Sequence, residues 1–249
     1  LAPRPSTYEL VHDETALARW IASAQAAGHV AFDTETTSLD AMQAKLVGFS
    51  LCIEAGKACY VPLGHIQCPV VSGQLSVNTK QDDLFSPTTD YRPPITGQMP
   101  LPRALALLAP LLEDASVLKI GQNIKYDMLV LRKYGVNITP VDDTMILSYT
   151  LAAGSHNHNM DELAQLHLGI KTISFDEITG TGKSRISFAE VALDKALAYA
   201  AEDADVTLQL WQHLKPHIAE KHMLTFYETI ERPLVPVVVA MEERGIRVN

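Results

Sequence analysis

The 249-residue chain has little cysteine, no long apolar run and no excess of positive charge. Cys52, Cys59 and Cys68 form no C-x-x-C pair, so a disulfide framework is excluded and a reducing compartment is expected. Cys59, His65 and Cys68 supply three ligand types for zinc, but a fourth is missing and Cys52 and Cys59 fall in strand-like runs, so the thiols read as buried or incidental. No stretch approaches the ~20 apolar residues of a membrane span. The opening LAPRPSTYEL has neither the basic head nor the apolar core of a secretory signal, and a soluble, cytoplasmic chain is expected. Twenty Lys and Arg stand against 29 Asp and Glu, a net charge of −9, which argues against a broad basic footprint on nucleic acid. A local site that holds phosphate through metal ions is still allowed.

What is present is an ordinary globular composition, 47% hydrophobic and 20% charged, enough to bury one large core or two small ones. ETALARWIASAQAAG places Leu17, Trp20, Ile21 and Ala24 at helical spacing and stops at Gly28. HVAFDTE follows as a strand. KLVGFSLCIEAGKACYVPLG reads as two strands joined by a short turn at Glu54 to Lys57, giving three antiparallel neighbours. From Gly64 to Pro100 the composition turns to Pro, Ser, Thr, Gln and Asp, as in an exposed loop or insertion. Next come a helix in MPLPRALALLAPLLEDAS, a strand in VLKIGQ, and helices in NIKYDMLVLRKYG and VDDTMILSYTLAAG. NMDELAQLHLG begins at Asn159 as N-cap, with Glu162 in capping-box position, and ends at Gly169. SFAEVALDKALAYAAEDADVTLQLWQHLKPHI reads as a long helical pair. In MLTFYETIERPLVPVVVAMEERGIRVN a helix is interrupted at Pro233 and Pro236, turns at Gly245 and opens an unpaired strand. The expected fold class is α/β, a mixed sheet flanked by helices, with its site at the strand ends.

Asp33 and Glu35 are i and i+2 on a strand and project from one face. Two like charges so placed are costly unless a cation neutralises them. In GQNIKYDMLVL, Asn123 and Asp127 have i, i+4 spacing beside an apolar stripe of Ile124, Met128 and Leu131. In YAAEDADVTLQL, Tyr199 and Asp203 share a helix face, whereas Asp205 points nearly opposite. Each pair alone is an ordinary feature of a strand end or a solvated helix. Four acids on three elements, two beside apolar stripes, point to a metal site.

In order, FDTETTSLD, KIGQNIKYD and YAAEDADVTLQL resemble the three motifs of DEDD exonucleases, specifically the 3′→5′ proofreading exonuclease domain of bacterial DNA polymerase I. DTMILSYTL, HNMDELA and KTISFDEITGTGKSRISF are similar to the segments between those motifs. RPLVPVVVAMEERGIRV resembles the junction to a family A polymerase domain. The resemblance implies a ribonuclease H-like fold over residues 1–222, the start of the junction over 223–249, and two divalent ions, Mg²⁺ or Mn²⁺. It makes Asp33, Glu35, Asp127 and Asp203 the metal carboxylates, with Asp33 bridging both ions. Tyr199 would hold the attacking water and mark the tyrosine subclass. Leu39 and Phe175 match residues that wedge bases apart, and Gln122 and Asn123 match polar residues beside the strand. The implied partners are a single-stranded or frayed DNA 3′ end and a polymerase domain of the same chain, in a monomeric bacterial protein acting at the nucleoid. Departures from the pattern are the long 64–100 loop and Asn157, where some members carry a phosphate-binding arginine. A catalytically silent scaffold or strand-binding domain, and an RNA 3′ exonuclease, are the alternatives. All four acids favour activity, and the junction favours DNA.

Three patterns carry no such chemistry. EITGTGKS ends like a phosphate loop but has Glu177 where Gly is required and no preceding strand, so it reads as a polar turn. His156 to His158 spell HNH but read as the loop into the Asn159 cap. The DEL and DAD runs read as charge on solvated helix faces.

Overall fold

The computed structural model describes residues 6–66 and 94–245. In chain order the elements are β1 (Thr7–Leu10), α1 (Glu14–Ala27), β2 (His29–Thr36), β3 (Leu46–Glu54), β4 (Lys57–Pro62) and α2 (Leu101–Leu112). These are followed by β5 (Leu118–Gly121), α3 (Lys125–Arg132), β6 (Val141–Asp143), α4 (Thr144–Ala152), α5 (Met160–Leu163) and α6 (Phe175–Thr179). Last come α7 (Leu193–Glu220), α8 (Leu224–Phe226) and α9 (Arg232–Arg244). The strands form one mixed sheet in the order β1-β4-β3-β2-β5-β6. β2, β3 and β4 are antiparallel neighbours, as the hairpin pattern requires, and the remaining pairs are parallel.

Side-chain alternation along β2 sorts its residues between two faces. Val30 and Phe32 join Phe49, Leu51 and Val61 in the main core, covered by Leu17 and Ala24 of α1, by α2 and α3, and by Val235 and Val239 of α9. Ala31, with Cys52 and Ala58, faces Ala201, Ala204 and Leu208 of α7. Small residues on both sides of that second contact let the 28-residue helix lie close to the sheet. Gly48 serves the same close packing: a Cβ there would sit 2.2 Å from the Tyr60 hydroxyl, so the ring can cross that strand only over glycine.

Several expectations are corrected. β1 is an additional edge strand, and Val141–Asp143 is strand rather than helix, because Asp143 caps α4 from an extended backbone and accepts from the N–H of Met145. The expected helical pair is a 3-10 turn, Phe188–Glu190, followed by the single helix α7. Pro233 and Pro236 do not interrupt α9: Pro233 lies in its first turn, where no N–H is needed, and a π turn over Tyr227–Glu231 widens the backbone just before it. Asp205 is buried rather than solvated, accepting from Tyr8 Oη at 3.0 Å, Gly56 N at 2.8 Å and Gln209 Nε2 at 2.9 Å. Asn159 caps α5 as expected, but the reciprocal bond of Glu162 goes to the N–H of Asn157. His158 of the HNH triplet pairs with Ser148 in the loop before that cap. EITGTGKS is α6 followed by a 3-10 turn.

Among the described cysteines, Cys52 and Cys59 are free and buried. Cys68 lies outside the described residues, as do 67–93 of the expected loop and the strand expected after Gly245. His65 spends both ring nitrogens on Tyr60 Oη and the carbonyl of Val191, so it is not free to hold zinc.

The far edge of the sheet is pinned through Asp142 on β6, which is fully buried. Its carboxylate accepts from Trp211 Nε1 at 2.8 Å and Tyr227 Oη at 3.0 Å, and pairs with Lys215 at 3.0 Å and Arg232 at 3.3 Å. One acid thus joins β6, α7, the π turn and α9. Asp142→Ala would leave the half-buried Trp211 Nε1 and the buried Tyr227 Oη without their acceptor and leave Lys215 and Arg232 to Glu228 alone among acids, and should cost about 2–4 kcal/mol in urea unfolding. A loss below about 1 kcal/mol would show that this network does not hold the edge.

Candidate active site

The β2–β3 ladder pairs Asp33 with Ser50 and Glu35 with Gly48, then shifts register between Glu35 and Thr36. Asp33 and Glu35 therefore extend from the α7 face at the last regular residues of the strand. Tyr199 and Asp203, one turn apart on α7, meet them there. One carboxylate oxygen from each of Asp33, Glu35 and Asp203 lies within 4.8 Å of the other two. Glu35 and Asp203 are 6% and 5% exposed, while Asp33 stays partly open to a cleft of about 360 Å³.

Asp127 approaches from the opposite side of the strand. It is buried on α3, and its Oδ1 accepts from Thr34 N at 2.9 Å and from Thr34 Oγ1. Thr34 alternates with Asp33 and Glu35, so it faces α3 and ties the fourth acid to the same strand. Sequence reasoning missed Thr34; its place between the two acids, on the other face, is the signal that was available.

Burial of so many carboxylates raises their affinity for protons. Desolvation pushes Asp33 up to about 7 from an ordinary 3.8. Glu35 rises well above its usual range, first by burial and then by repulsion from Asp33, Asp203 and Asp127. Asp127 and Asp203 rise for the same reasons, burial first and the Asp33 charge second. Tyr199 is driven up by burial and then by Asp203, Glu35 and Asp33. It stays a phenol, one turn from Asp203.

Glu35 Oε1 and Asp203 Oδ1 are buried without a hydrogen-bond partner among the described residues. Hard oxygen donors crowded together and left unsatisfied fit a divalent cation of the Mg²⁺ or Mn²⁺ type, and neither His nor Cys joins the group.

Leu39, 92% exposed, stands at the rim of the cleft. Phe175 forms the facing wall, stacked on Phe188 with centroids 6.3 Å apart and edge-on to Tyr199 at 6.1 Å. Gln122 is not at the cleft: its amide donates to the carbonyl of His158 at 2.8 Å and accepts from Thr144. Asn123 lines an adjoining groove that shares Leu39 and Tyr126 with the cleft. It precedes α3 in a left-handed conformation, φ 57°, and is not on a helix face with Asp127. The Asp143 carboxylate imposes this by accepting from the N–H groups of Asn123 and Ile124.

Residues 8–219 match the model of a family described as 3′-5′ exonuclease. The chain is 47% identical over 253 residues to DNA polymerase I of Rhizobium leguminosarum, covering 98% of this chain and 23% of that protein. It is 38% identical over 249 residues to DNA polymerase I of Pseudomonas aeruginosa, covering 97% of this chain and 24% of that protein. It thus spans about a quarter of the length of these curated relatives. Among solved structures it is similar to Escherichia coli RNase D, an exoribonuclease involved in structured RNA processing, with TM-score 0.65, 14% identity and coverage of 96% and 52% of the two chains. That likeness carries the fold. No helix among the described residues is long and apolar enough to cross a membrane.

The raised carboxylates set the sign of a pH effect. Between about pH 4 and 7 the folded chain retains a proton on Asp33 that the unfolded chain releases, so this group withdraws stability as pH rises through that window. His65, lowered by burial to about 4, acts in the opposite sense. The contribution is therefore read as parent minus Asp33→Asn/Asp203→Asn. In chelator, that difference in melting temperature should fall between pH 5 and 8, and at pH 8 Mn²⁺ should raise the parent and leave the variant unmoved. A pH-independent difference, or an equal Mn²⁺ shift in both proteins, would show that these acids are not a strained cation site.

Proposed function

The chain belongs to the 3′-5′ exonuclease family of DNA polymerase I, and from that premise we propose that it hydrolyses single-stranded or frayed DNA 3′ ends to nucleoside monophosphates, proofreading for a polymerase. The observation that carries the reading is the meeting of Asp33, Glu35 and Asp203, with two orphaned buried oxygens, at the floor of an open cleft. Asp33, Glu35 and Asp203 would hold divalent ions, with Asp127 beside them. Two such ions, when bound, supply Lewis acidity and neutralise charge on the phosphodiester during in-line hydrolysis.

The protein groups around them have their own work. Tyr199 remains protonated, so its hydroxyl orients the attacking water as a hydrogen-bonding group and does not take the proton as a free base. Thr34 keeps Asp127 aimed at the strand through two bonds to one oxygen. Leu39 at the rim and Phe175 on the wall admit a splayed terminal nucleotide between them, and Asn123 lines the groove beyond Leu39. Gln122, engaged with His158 and Thr144, supports the loop before α5 and acts on the strand indirectly.

An apolar stripe favours the polymerase domain as partner. Leu224, Phe226, Ile230, Leu234, Val237 and Met241 are 40–61% exposed along α8, the π turn and α9. We place the polymerase segment of the longer chain against it, in the bacterial cytoplasm at the nucleoid. Hydrogen exchange at α9 should then be slower in the longer chain than in this one, and equal exchange would remove that docking face.

The activity is tested with 3′- and 5′-labelled oligonucleotides in Mg²⁺, Mn²⁺ or EDTA. Stepwise loss from the 3′ end, abolished by chelator, is expected. Mismatched ends should be cut faster than paired ones, since each stacked step melted costs ~1.4 kcal/mol. Asp203→Ala should fall to background and lose Mn²⁺ affinity. Tyr199→Phe should keep that affinity and lose on the order of 10²-fold or less. An inactive parent that still binds strand would favour the silent scaffold, and preference for RNA over DNA of the same sequence would favour the ribonuclease reading. Loss of Mn²⁺ affinity in Tyr199→Phe as severe as in Asp203→Ala would overturn the roles on α7.

A further inference from the structure

We infer that Arg185 binds a backbone phosphate of the strand, at a position other than the one cut; this rests on the nuclease reading of the cleft. Arg185 is the single cationic side chain among the described residues that line the cleft, whose floor carries three acids. In a chain of net charge −9, a polyanion entering here needs local positive charge away from the floor.

The guanidinium is held ready for this. Its carbon lies 5.8 Å from the centroid of the Phe175 ring, within cation–π range. Nε donates to the carbonyl of Gly180 at 3.2 Å, and Nη2 donates to Asp176 Oδ1. Both tethers come from α6 and its C-cap, the element that also presents Phe175. Arg185, Phe175 and Tyr199 therefore follow one another along the wall, and Tyr199 leads to Asp203 on the floor. Two aromatic rings separate the guanidinium from the carboxylates, which is why the phosphate it meets is not the scissile one.

The partner Arg185 now holds is weak. The Asp176 and Arg185 side chains are 55% and 43% exposed, and an ion pair so solvated contributes little. A phosphate offers two acceptor oxygens to the planar fork, a geometry that guanidinium satisfies bidentately. The hydrogen bonds Arg185 makes among the described residues use Nε and Nη2, so the two N–H groups of Nη1 are already available. Exchange of Asp176 for phosphate leaves the ring contact and the Gly180 bond in place.

Two surface variants with opposite expected effects test this. On a single-stranded oligodeoxynucleotide in Mg²⁺, Arg185→Gln should raise KM about two- to fivefold, as loss of one solvated charge contact of up to about 1 kcal/mol allows, with kcat changed less than about twofold. The slope of log KM against log salt should flatten by about 0.7, the value for one phosphate contact on a single strand. Arg185→Lys should keep most of the slope, and Asp176→Asn, which frees the guanidinium, should lower KM. Unchanged KM and slope in Arg185→Gln would overturn the assignment. So would a rise in KM in Asp176→Asn matching that in Arg185→Gln, because the pair would then be a structural clamp. Anisotropy of a labelled strand in EDTA reads the same slope without turnover. An inactive parent removes the nuclease reading, and equal anisotropy curves for parent and Arg185→Gln still overturn the phosphate contact.

Discussion

Three carboxylates crowded at the floor of one cleft are the constraint around which the molecule is arranged. Asp33 and Glu35 are held side by side by the β2–β3 ladder, and Asp203 is brought onto them by α7. Like charges at such range, partly desolvated, must be protonated, hydrogen-bonded or neutralised by cations. The protein supplies few donors: Thr34 serves Asp127, and Glu35 Oε1 and Asp203 Oδ1 receive none among the described residues. Oxygen donors left short of partners in this way fit a divalent cation.

The rest of the fold bears the strain by keeping stability elsewhere. The main core lies on the opposite sheet face, where Phe32, Phe49 and Leu51 meet α1, α2, α3 and α9. α7 is anchored by Asp205, two residues from Asp203, to β1 and the β3–β4 turn, and further along by Trp211 and Lys215 to Asp142. Those anchors fix the rotation of the helix, and the rotation decides that Tyr199 and Asp203 face β2 while Asp205 faces away. Small residues at the contact, Ala31, Ala201 and Ala204, set how closely it approaches. The approach of Asp203 to Asp33 and Glu35 is thus determined by packing along α7.

The cleft wall divides labour similarly. Phe188 backs Phe175, and Phe175 in turn meets Tyr199 and carries Arg185. Apolar contact, a phenol hydroxyl and positive charge are held in one row on α6, α7 and the segment that leads into the 3-10 turn at Phe188. Leu39 opposes this row from the rim, its side chain exposed while hydrogen bonds at Ser38 and Asp40 on either side hold the loop that carries it.

Much of this was legible in the chain by itself. Strand alternation placed Asp33 and Glu35 on one face, helical spacing joined Tyr199 to Asp203 and turned Asp205 away, and Gly28, Asn159 and Gly169 marked helix ends, because these depend only on local geometry. Three ordered motifs then carried the resemblance to a proofreading exonuclease. Other features depend on partners far away in sequence and were decided only by the tertiary structure. β1 exists because β4 offers it an edge, and Asn123 leaves the helix because Asp143 draws its N–H aside. Gln122 is occupied by His158 and Thr144. Asp127 reaches the site through Thr34, from the face that alternation assigns away from the other acids. Local periodicity fixes which way a side chain points along its own element; what it meets there is set by long-range packing, which no spacing within a single element encodes.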